Sequence, residues 1–432
     1  MELFHIQRKV EVSLEEAGLS NIIVGLDIGT ANIRVVIGEI SEDKKLLITG
    51  IGTSVSTGLR NGLIVNIEAT VQSIKKAVEA AELMAGQEVE NCYTAIGGDQ
   101  IESLISKGIV AITSKGRGSR EITESDIDRV IEAAKAVNIP LDRQILHVVP
   151  RSYIVDGQKG FKNPINMLGV RLEAEACIFT SSGTSMQNFL RCATRAGYQI
   201  NGVMLKTLAI AQAVLTEDEK ELGSLIIDLG AGTTDALVFS DGSPLCAVSV
   251  PAGGIHVTND ISLVKGVSFE TAEKIKKTNG CCWESLVDKE DVIIIPGIAG
   301  NAPREISRKE IAIIIQSRVE EILEMLIKKM PQQAKKQELN GSVILSGGGA
   351  LMTGITELAI HIFKTENVRI ARPGNYGGLV EKYRSPEFAT AIGLLVENKQ
   401  NLENSVVDNS HKKRKSEKSS LSVVKNFFNE FF

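Results

Sequence analysis

The sequence predicts an α/β protein made by duplication: two domains facing a cleft, an α+β insert in the first, and an amphipathic helix at the C-terminal end. Three observations predict it. A strand, glycine turn and strand unit occurs twice, the chain is too long for one core, and strands alternate with amphipathic helices between the two units. The unit is clearest at residues 225–239, L-I-I-D-L-G-A-G-T-T-D-A-L-V-F. There an apolar run ends at Asp228, a polar turn carries Gly230, Gly232, Thr233 and Thr234, and a second apolar run follows. It recurs at residues 22–38, I-I-V-G-L-D-I-G-T-A-N-I-R-V-V-I-G, which sets Asp27, Gly29 and Thr30 in the places of Asp228, Gly230 and the downstream threonines. A repeat spaced by about 200 residues is too long for a solenoid and fits a duplicated domain.

The residue types in these turns point to phosphate. Glycines let the backbone approach a ligand and offer its N–H groups, threonine hydroxyls add donors, and a carboxylate at a strand end can hold water around a magnesium ion. A plain glycine hairpin accounts for the glycines but gives no reason for an aspartate with paired threonines.

Composition bounds the rest. The 432 residues, 43% hydrophobic and 23% charged, fit a globular chain of two or more domains. A net charge of −5 leaves no basic field for nucleic acid as a general partner. Six cysteines, two of them adjacent at Cys281 and Cys282, have neither metal-site spacing nor a disulfide framework, and read as reduced thiols in a cytoplasm. The first residues carry charges at close intervals with no apolar segment of signal length, and no run approaches the ~20 apolar residues of a spanning helix, so any membrane contact would lie on the bilayer surface.

In chain order, residues 1–20 form an extension without clear periodicity. After the first hairpin come a strand at 46–55, a turn at 58–62, and a helix at 67–86 with Val71, Ile74, Val78 and Leu83 at helical spacing. The pattern changes over 88–171: short strands at 92–97 and 104–112, a glycine-rich loop at 115–120, and a helix opened by Thr123 and Asp126 that buries Ile127, Val130, Ile131 and Ala134. This is the α+β insert. The chain returns with a strand at 174–179 and a helix at 185–196, and a helix at 203–215 joins the halves. After the second hairpin, Gly253 and Gly254 open a helix whose free N–H groups can face phosphate. Glu273 and Lys276 lie three apart on one helical face, suited to ribose hydroxyls and an adenine edge, although an isolated pair of this kind is more often a solvated surface ion pair. Ser307 and Glu310 make a capping box for an amphipathic helix bearing Ile311, Ile314, Ile315, Val319, Ile322, Leu323 and Leu326, with Arg318, Glu321 and Glu324 on its polar face.

Residues 343–355, V-I-L-S-G-G-G-A-L-M-T-G-I, give a strand, then Gly347, Gly348 and Gly349 as a flat surface for a purine and ribose, then a helix. A final helix at 385–395 follows. From residue 398 the composition is polar and includes H-K-K-R-K at 411–415, which predicts a flexible basic linker over 398–420. At ~100° per residue, the last 12 residues sort Leu421, Val423, Val424, Phe427, Phe428, Phe431 and Phe432 to one side, and Ser422, Lys425, Asn426, Asn429 and Glu430 to the other. Such a helix can dock on its own protein body, but the basic linker before it favours an anionic membrane. Leu421, Val424, Lys425, Phe427, Phe428, Phe431 and Phe432 are its membrane-contact candidates.

Two phosphate hairpins and a glycine triplet in this order resemble the actin, Hsp70 and sugar-kinase superfamily. The stretches N-P-I-N-M-L-G-V-R-L-E at 163–173, G-G-I-H-V-T-N-D-I at 253–261 and S-P-E-F-A-T-A-I-G-L-L at 385–395 narrow the likeness to the FtsA family of bacterial cell division proteins. The resemblance covers about residues 21–397 and the design of the tail. It implies a first actin-like domain (1A) at 21–87 and 172–206, the insert (1C) at 88–171, a second domain (2A) at 207–258 and 341–397, and subdomain 2B at 259–340. It further implies ATP with Mg²⁺ as cofactors. Asp27 and Asp228 would hold the metal through water. Gly29, Thr30, Asn32, Gly230, Gly232, Thr233, Thr234, Gly253 and Gly254 would hold the phosphates, and Glu273, Lys276 and Gly347 to Gly349 the nucleoside. Relatives place Glu-Pro in the joining segment where Lys206-Thr207 stands here, so no general base is visible and at most weak ATP hydrolysis is expected. The implied role is a homopolymer on the cytoplasmic face of the membrane at the division site. It would bind the C-terminal peptide of the tubulin-like protein FtsZ through subdomain 2B, with Arg318 as a contact, and recruit later division proteins. Asn301 departs from an arginine usual in relatives. A sugar or acetate kinase-type phosphotransferase of the same superfamily is the alternative.

Overall fold

Each repeated unit folds as an antiparallel hairpin at the centre of its own sheet. The computed structural model describes residues 21–112, 118–295, 302–335, 341–378 and 381–413. In the first half, β1 (Ile22–Ile28) and β2 (Asn32–Ile40) form the hairpin, β3 (Leu46–Val55) extends it, and α1 (Ile67–Ala85) covers it. Asn66 caps α1 by accepting from the Ala69 N–H, and Gly86 ends it in the left-handed conformation. Val71, Ile74 and Val78 are buried as their spacing predicts, whereas Leu83 points to solvent and Ala81 takes the core position.

The next strand, β4 (Asn91–Ile96), corrects the expected start of the insert. It runs parallel to β1 inside the first sheet and does not join the insert. The insert's own sheet is β5 (Ile101–Ala111), β6 (Arg143–Val155), β7 (Gln158–Phe161) and β8 (Arg171–Ser182), in the order β7-β6-β8-β5, with α2 (Glu124–Lys135) on one face. The strand expected to return the chain to the first domain is thus part of β8, the insert's central strand. Its pairing with β5 runs from Arg171 opposite Ala111 to Ser181 opposite Ile101. Sheet membership places the insert at 97–182 instead of 88–171. Asp126 anchors α2, accepting from the Thr123 N–H at 3.0 Å and from two Arg120 nitrogens at 2.7 Å.

The chain re-enters the first sheet through α3 (Gly183–Ala196) and β9 (Gln199–Leu205), which pairs parallel with β4. Residues 203–205, expected as the start of a helix, are therefore strand, and α4 (Lys206–Val214) begins at Lys206. An apolar segment between two sheets reads equally well as either until its pairing partner is known.

The second half repeats the plan. The hairpin β10 (Leu225–Leu229) and β11 (Thr234–Ser240) is followed by β12 (Ser243–Val250), α5 (Gly254–Lys265) and α6 (Phe269–Asn279). A small ribbon, β13 (Val292–Ile295) with β14 (Arg304–Ser307), leads into α7 (Arg308–Lys329), which buries Ile311, Ile315, Val319, Ile322, Leu323 and Leu326 as their periodicity predicts and leaves Ile314 half-buried. Then β15 (Val343–Ser346), α8 (Ile355–Phe363) and β16 (Val368–Ile370) complete a sheet in the order β12-β11-β10-β15-β16.

The last helix, α9 (Ala389–Lys413), packs against β1 and α4, burying Ile392, Leu394 and Leu395 in the first half. It runs through residues 398–413, where a flexible linker was expected. No glycine or proline follows Gly393, so nothing in the backbone stops the helix once packing has started it. Residues 414–432, with the amphipathic end, lie outside the described residues, as does Asn301.

Candidate functional site

The two hairpin turns converge on one cavity of about 90 Å³. Its walls are Asp27, Gly29, Thr30, Asn32 and Arg34 from the first half, Asp228, Gly230 and Thr233 from the second, and Gly347 and Gly348 from the glycine triplet. Local geometry explains the match. In both turns the glycine N–H two residues beyond the aspartate donates to the carbonyl three residues on, Gly29 to Asn32 at 3.1 Å and Gly230 to Thr233 at 3.0 Å. Each aspartate therefore ends its strand pointing at the same space. The cleft is continuous across the halves, since Gly232 lies against Thr30 and Asn61.

Lys206 also enters this cavity, from the first turn of α4. Its Nζ lies 2.9 Å from Asp228 Oδ2 and 3.7 Å from Asp27 Oδ1, one carboxylate from each half. Burial alone would push its pKa down, but Asp228, Asp27 and Asp235 outweigh burial and hold the ammonium charged above its usual range. Asp235 is 5% exposed, and burial followed by the nearby Asp228 pushes its carboxyl up. It accepts from the Gly98 N–H at 2.8 Å and the Thr233 hydroxyl at 3.0 Å. Arg34 pairs with Glu387 at 2.5 Å, with its guanidinium 5.7 Å from the Phe388 ring centre.

The pair Asp27 and Asp228 fits a hydrated divalent cation. Both are nearly fully buried, and Asp228 Oδ2 has no well-directed hydrogen bond although the Lys206 ammonium is close. Among the described residues no group of three His, Cys, Asp or Glu could ligate a metal. A cation here would lean on two carboxylates, water and a ligand's phosphates, as Mg²⁺ commonly does.

Other predicted residues stand elsewhere. The helix-start N–H groups expected to face phosphate are already used: Gly254 donates to Gly230 O at 3.0 Å, Ile255 to Ala231 O at 2.9 Å, and Gly253 to His256 Nδ1 at 3.2 Å. Helix α5 thus braces the second hairpin, because the orphan donors of its first turn meet the orphan carbonyls of the turn. The Thr234 hydroxyl is likewise committed, donating to Ala252 O at 2.8 Å. Gly349 backs onto Leu229. Glu273 and Lys276 pair with each other at 2.6 Å, and Lys276 Nζ also donates to Gly254 O at 2.9 Å, so both tie α6 to α5. Arg318 holds Asp260 on α5 through Nε at 2.5 Å and Nη2 at 3.0 Å, and Nη1 reaches Glu321. Sequence reasoning missed Arg34, Asp235 and Glu387. Two of them share one signal, position: Arg34 and Asp235 lie opposite Asp27 and Asp228 in the hairpin registers, whereas Glu387 lies in neither hairpin and meets the site through its ion pair with Arg34.

A duplicated α/β body whose two aspartate-ended hairpins face a glycine floor across a cleft is an actin-like fold. The chain is similar in structure to the PilM–PilN type IV pilus biogenesis complex (TM-score 0.62, 16% identity, 87% of this chain and 98% of that one). It is similar also to MreB5 of Spiroplasma citri bound to ADP (TM-score 0.50, 17% identity, 89% and 99%). At such identities these likenesses establish the fold. Sequence carries the identification further: residues 225–393 match the family described as "Cell division protein FtsA" and residues 98–180 the "SHS2 domain inserted in FTSA". The FtsA of Borreliella burgdorferi is 42% identical over 414 residues, covering 95% of this chain and 99% of the relative. That of Bacillus subtilis is 38% identical over 372 residues (86% and 82%), and that of Escherichia coli 34% over 381 residues (87% and 89%). This chain belongs to the FtsA family and is an actin-like cell division protein; the phosphotransferase alternative finds no support among these relatives. No helix among the described residues is long and apolar enough to cross a membrane.

Proposed function

We propose that the cleft binds ATP with Mg²⁺, and that the loaded protein polymerises on the cytoplasmic face of the membrane and anchors the FtsZ ring there. The observation that carries this reading is the convergence of Asp27 and Asp228, one from each half, on a single cavity floored by Gly347 and Gly348. Gly29, Thr30, Asn32, Gly230 and Thr233 would meet the phosphates, and the two carboxylates would orient water around the metal, which supplies positive charge to the phosphate oxygens. A nucleotide touching both halves at once would fix their relative orientation and so set the surface available for self-assembly. Turnover is slow in this reading, since a lysine stands at 206 and no carboxylate there can orient an attacking water. Subdomain 2B would receive the FtsZ C-terminal peptide, the insert would meet later division proteins, and residues 421–432 would lie on anionic lipid as an amphipathic helix that is too short to be stable alone.

Titration with a fluorescent ATP analogue tests the cleft, comparing wild type with Gly348→Asp. Nothing lies within 4 Å of the position of a Gly348 side chain, so the new carboxylate enters the cleft without disturbing the fold. Loss of binding is expected, and equal affinities refute the site. Turnover of ~1 per second or faster would refute the weak-hydrolysis claim. Co-sedimentation with anionic vesicles should be strong for polymer, weak for an assembly-defective monomer, and lost in Phe427→Asp with Phe428→Asp, because linked tails gain from effective concentration.

A further inference from the structure

Lys206 stands where a metal-bound water would stand. Its side chain is 19% exposed and leaves α4 beside Gly97, and its Nζ lies 2.9 Å from Asp228 Oδ2 and 3.7 Å from Asp27 Oδ1. A water bound to a divalent ion would approach a carboxylate oxygen to about 2.8 Å, the hydrogen-bond distance that the ammonium already takes. The two cannot share that place. The ammonium is held by charge more than by direction, since Asp228 Oδ2 lacks a well-aligned hydrogen bond, so a hydrated ion can exchange with it. The other cation lining the cavity, Arg34, is committed to Glu387 at 2.5 Å.

We propose that Lys206 and a divalent cation are alternative occupants of the position between Asp27 and Asp228, so that the chain itself supplies, when metal is absent, the positive charge that joins its two halves. The proposal rests on the cleft reading given above, but concerns the lysine and can fail separately. With metal absent, the lysine ties the first-half carboxylate to the second-half one. With metal bound, the ammonium is released within the cavity, where a ligand's phosphate would be a new partner.

The test is Mn²⁺ binding without nucleotide, followed by electron paramagnetic resonance, on wild type, Lys206→Met and Lys206→Arg. Lys206→Met should bind Mn²⁺ more than threefold tighter than wild type, and Lys206→Arg should resemble wild type. A smaller gain in Lys206→Met overturns the proposal. Wild type gives a readout that does not depend on a variant folding: acylation of the Lys206 amine, read by peptide mass spectrometry, should rise and saturate with Mg²⁺, and flat labelling overturns the proposal equally. Fluorescent ATP titrated with Mg²⁺ or with EDTA decides the underlying reading. If wild type binds no ATP in either, the cleft assignment fails while the Mn²⁺ comparison still judges the lysine.

Discussion

The two repeated hairpins share one turn and differ in what surrounds it. Asp27 faces Arg34 across its hairpin, while Asp228 faces a second acid, Asp235, at the same register position. The first turn is tied to the loop after β3, with Gly62 N donating to Thr30 Oγ1 at 3.1 Å and Ser56 N to Ala31 O at 2.9 Å. The second is tied to a helix start through Gly230 O and Ala231 O. Duplication therefore preserved the backbone that aims an aspartate at the cleft and let the charge beside it diverge. The second half carries the surplus negative charge, and Lys206 sits nearer to it, 2.9 Å from Asp228 against 3.7 Å from Asp27.

If this asymmetry is energetic, equivalent positions should have unequal costs. Asp235→Ala should have the largest effect, about 2–4 kcal/mol in urea denaturation followed by circular dichroism, because it strands the buried Gly98 N–H and strips Lys206 of a counter-charge. Gly253→Ala should follow at about 1–3 kcal/mol, since an added Cβ would meet Gly230 O at 2.5 Å and lift α5 off the second hairpin. Arg34→Ala, the first-half counterpart of Asp235→Ala, should cost only about 1 kcal/mol, because its ion pair and ring contact are partly solvated. Equal losses in Asp235→Ala and Arg34→Ala would erase the distinction between the hairpins.

Acid should produce the smallest difference. His147 links the insert to β9, its Nε2 accepting from the Leu205 N–H at 2.9 Å, and burial lowers its pKa to about 4. The folded state prefers the neutral ring, so stability is full above about 6.5 and falls as pH drops towards about 4. In the second half, burial would raise the Glu219 carboxyl, but hydrogen bonds from Arg369, Thr216 and Ser342 overcome that and hold it at about 2. Its contribution is present above about 4.5 and lost only as pH falls through about 2. Hydrogen exchange at pH 7 and pH 4.5 should show loosening at the insert junction before the second half, and His147→Gln should remove that difference. Earlier opening around Glu219 would contradict it.

What the sequence determined by itself was local: both hairpins, the limits of β3, the cap of α2, and most of the buried stripe of α7. Turn residues and two- or 3.6-residue periods act within a few positions, so they can be read without a partner. The cavity residues Asp27, Gly29, Thr30, Asn32, Asp228, Gly230, Thr233, Gly347 and Gly348 were legible for the same reason. Only the tertiary structure decided that β4 belongs beside β1, that β8 belongs to the insert, and that the first N–H groups of α5 serve the hairpin and not a ligand. Parallel pairing and donor satisfaction depend on elements far apart in sequence, and no local period encodes them. Lys206 shows the limit most clearly. As a residue it marked only a missing acid, and its role as a bridge exists because two distant strands end at the same place.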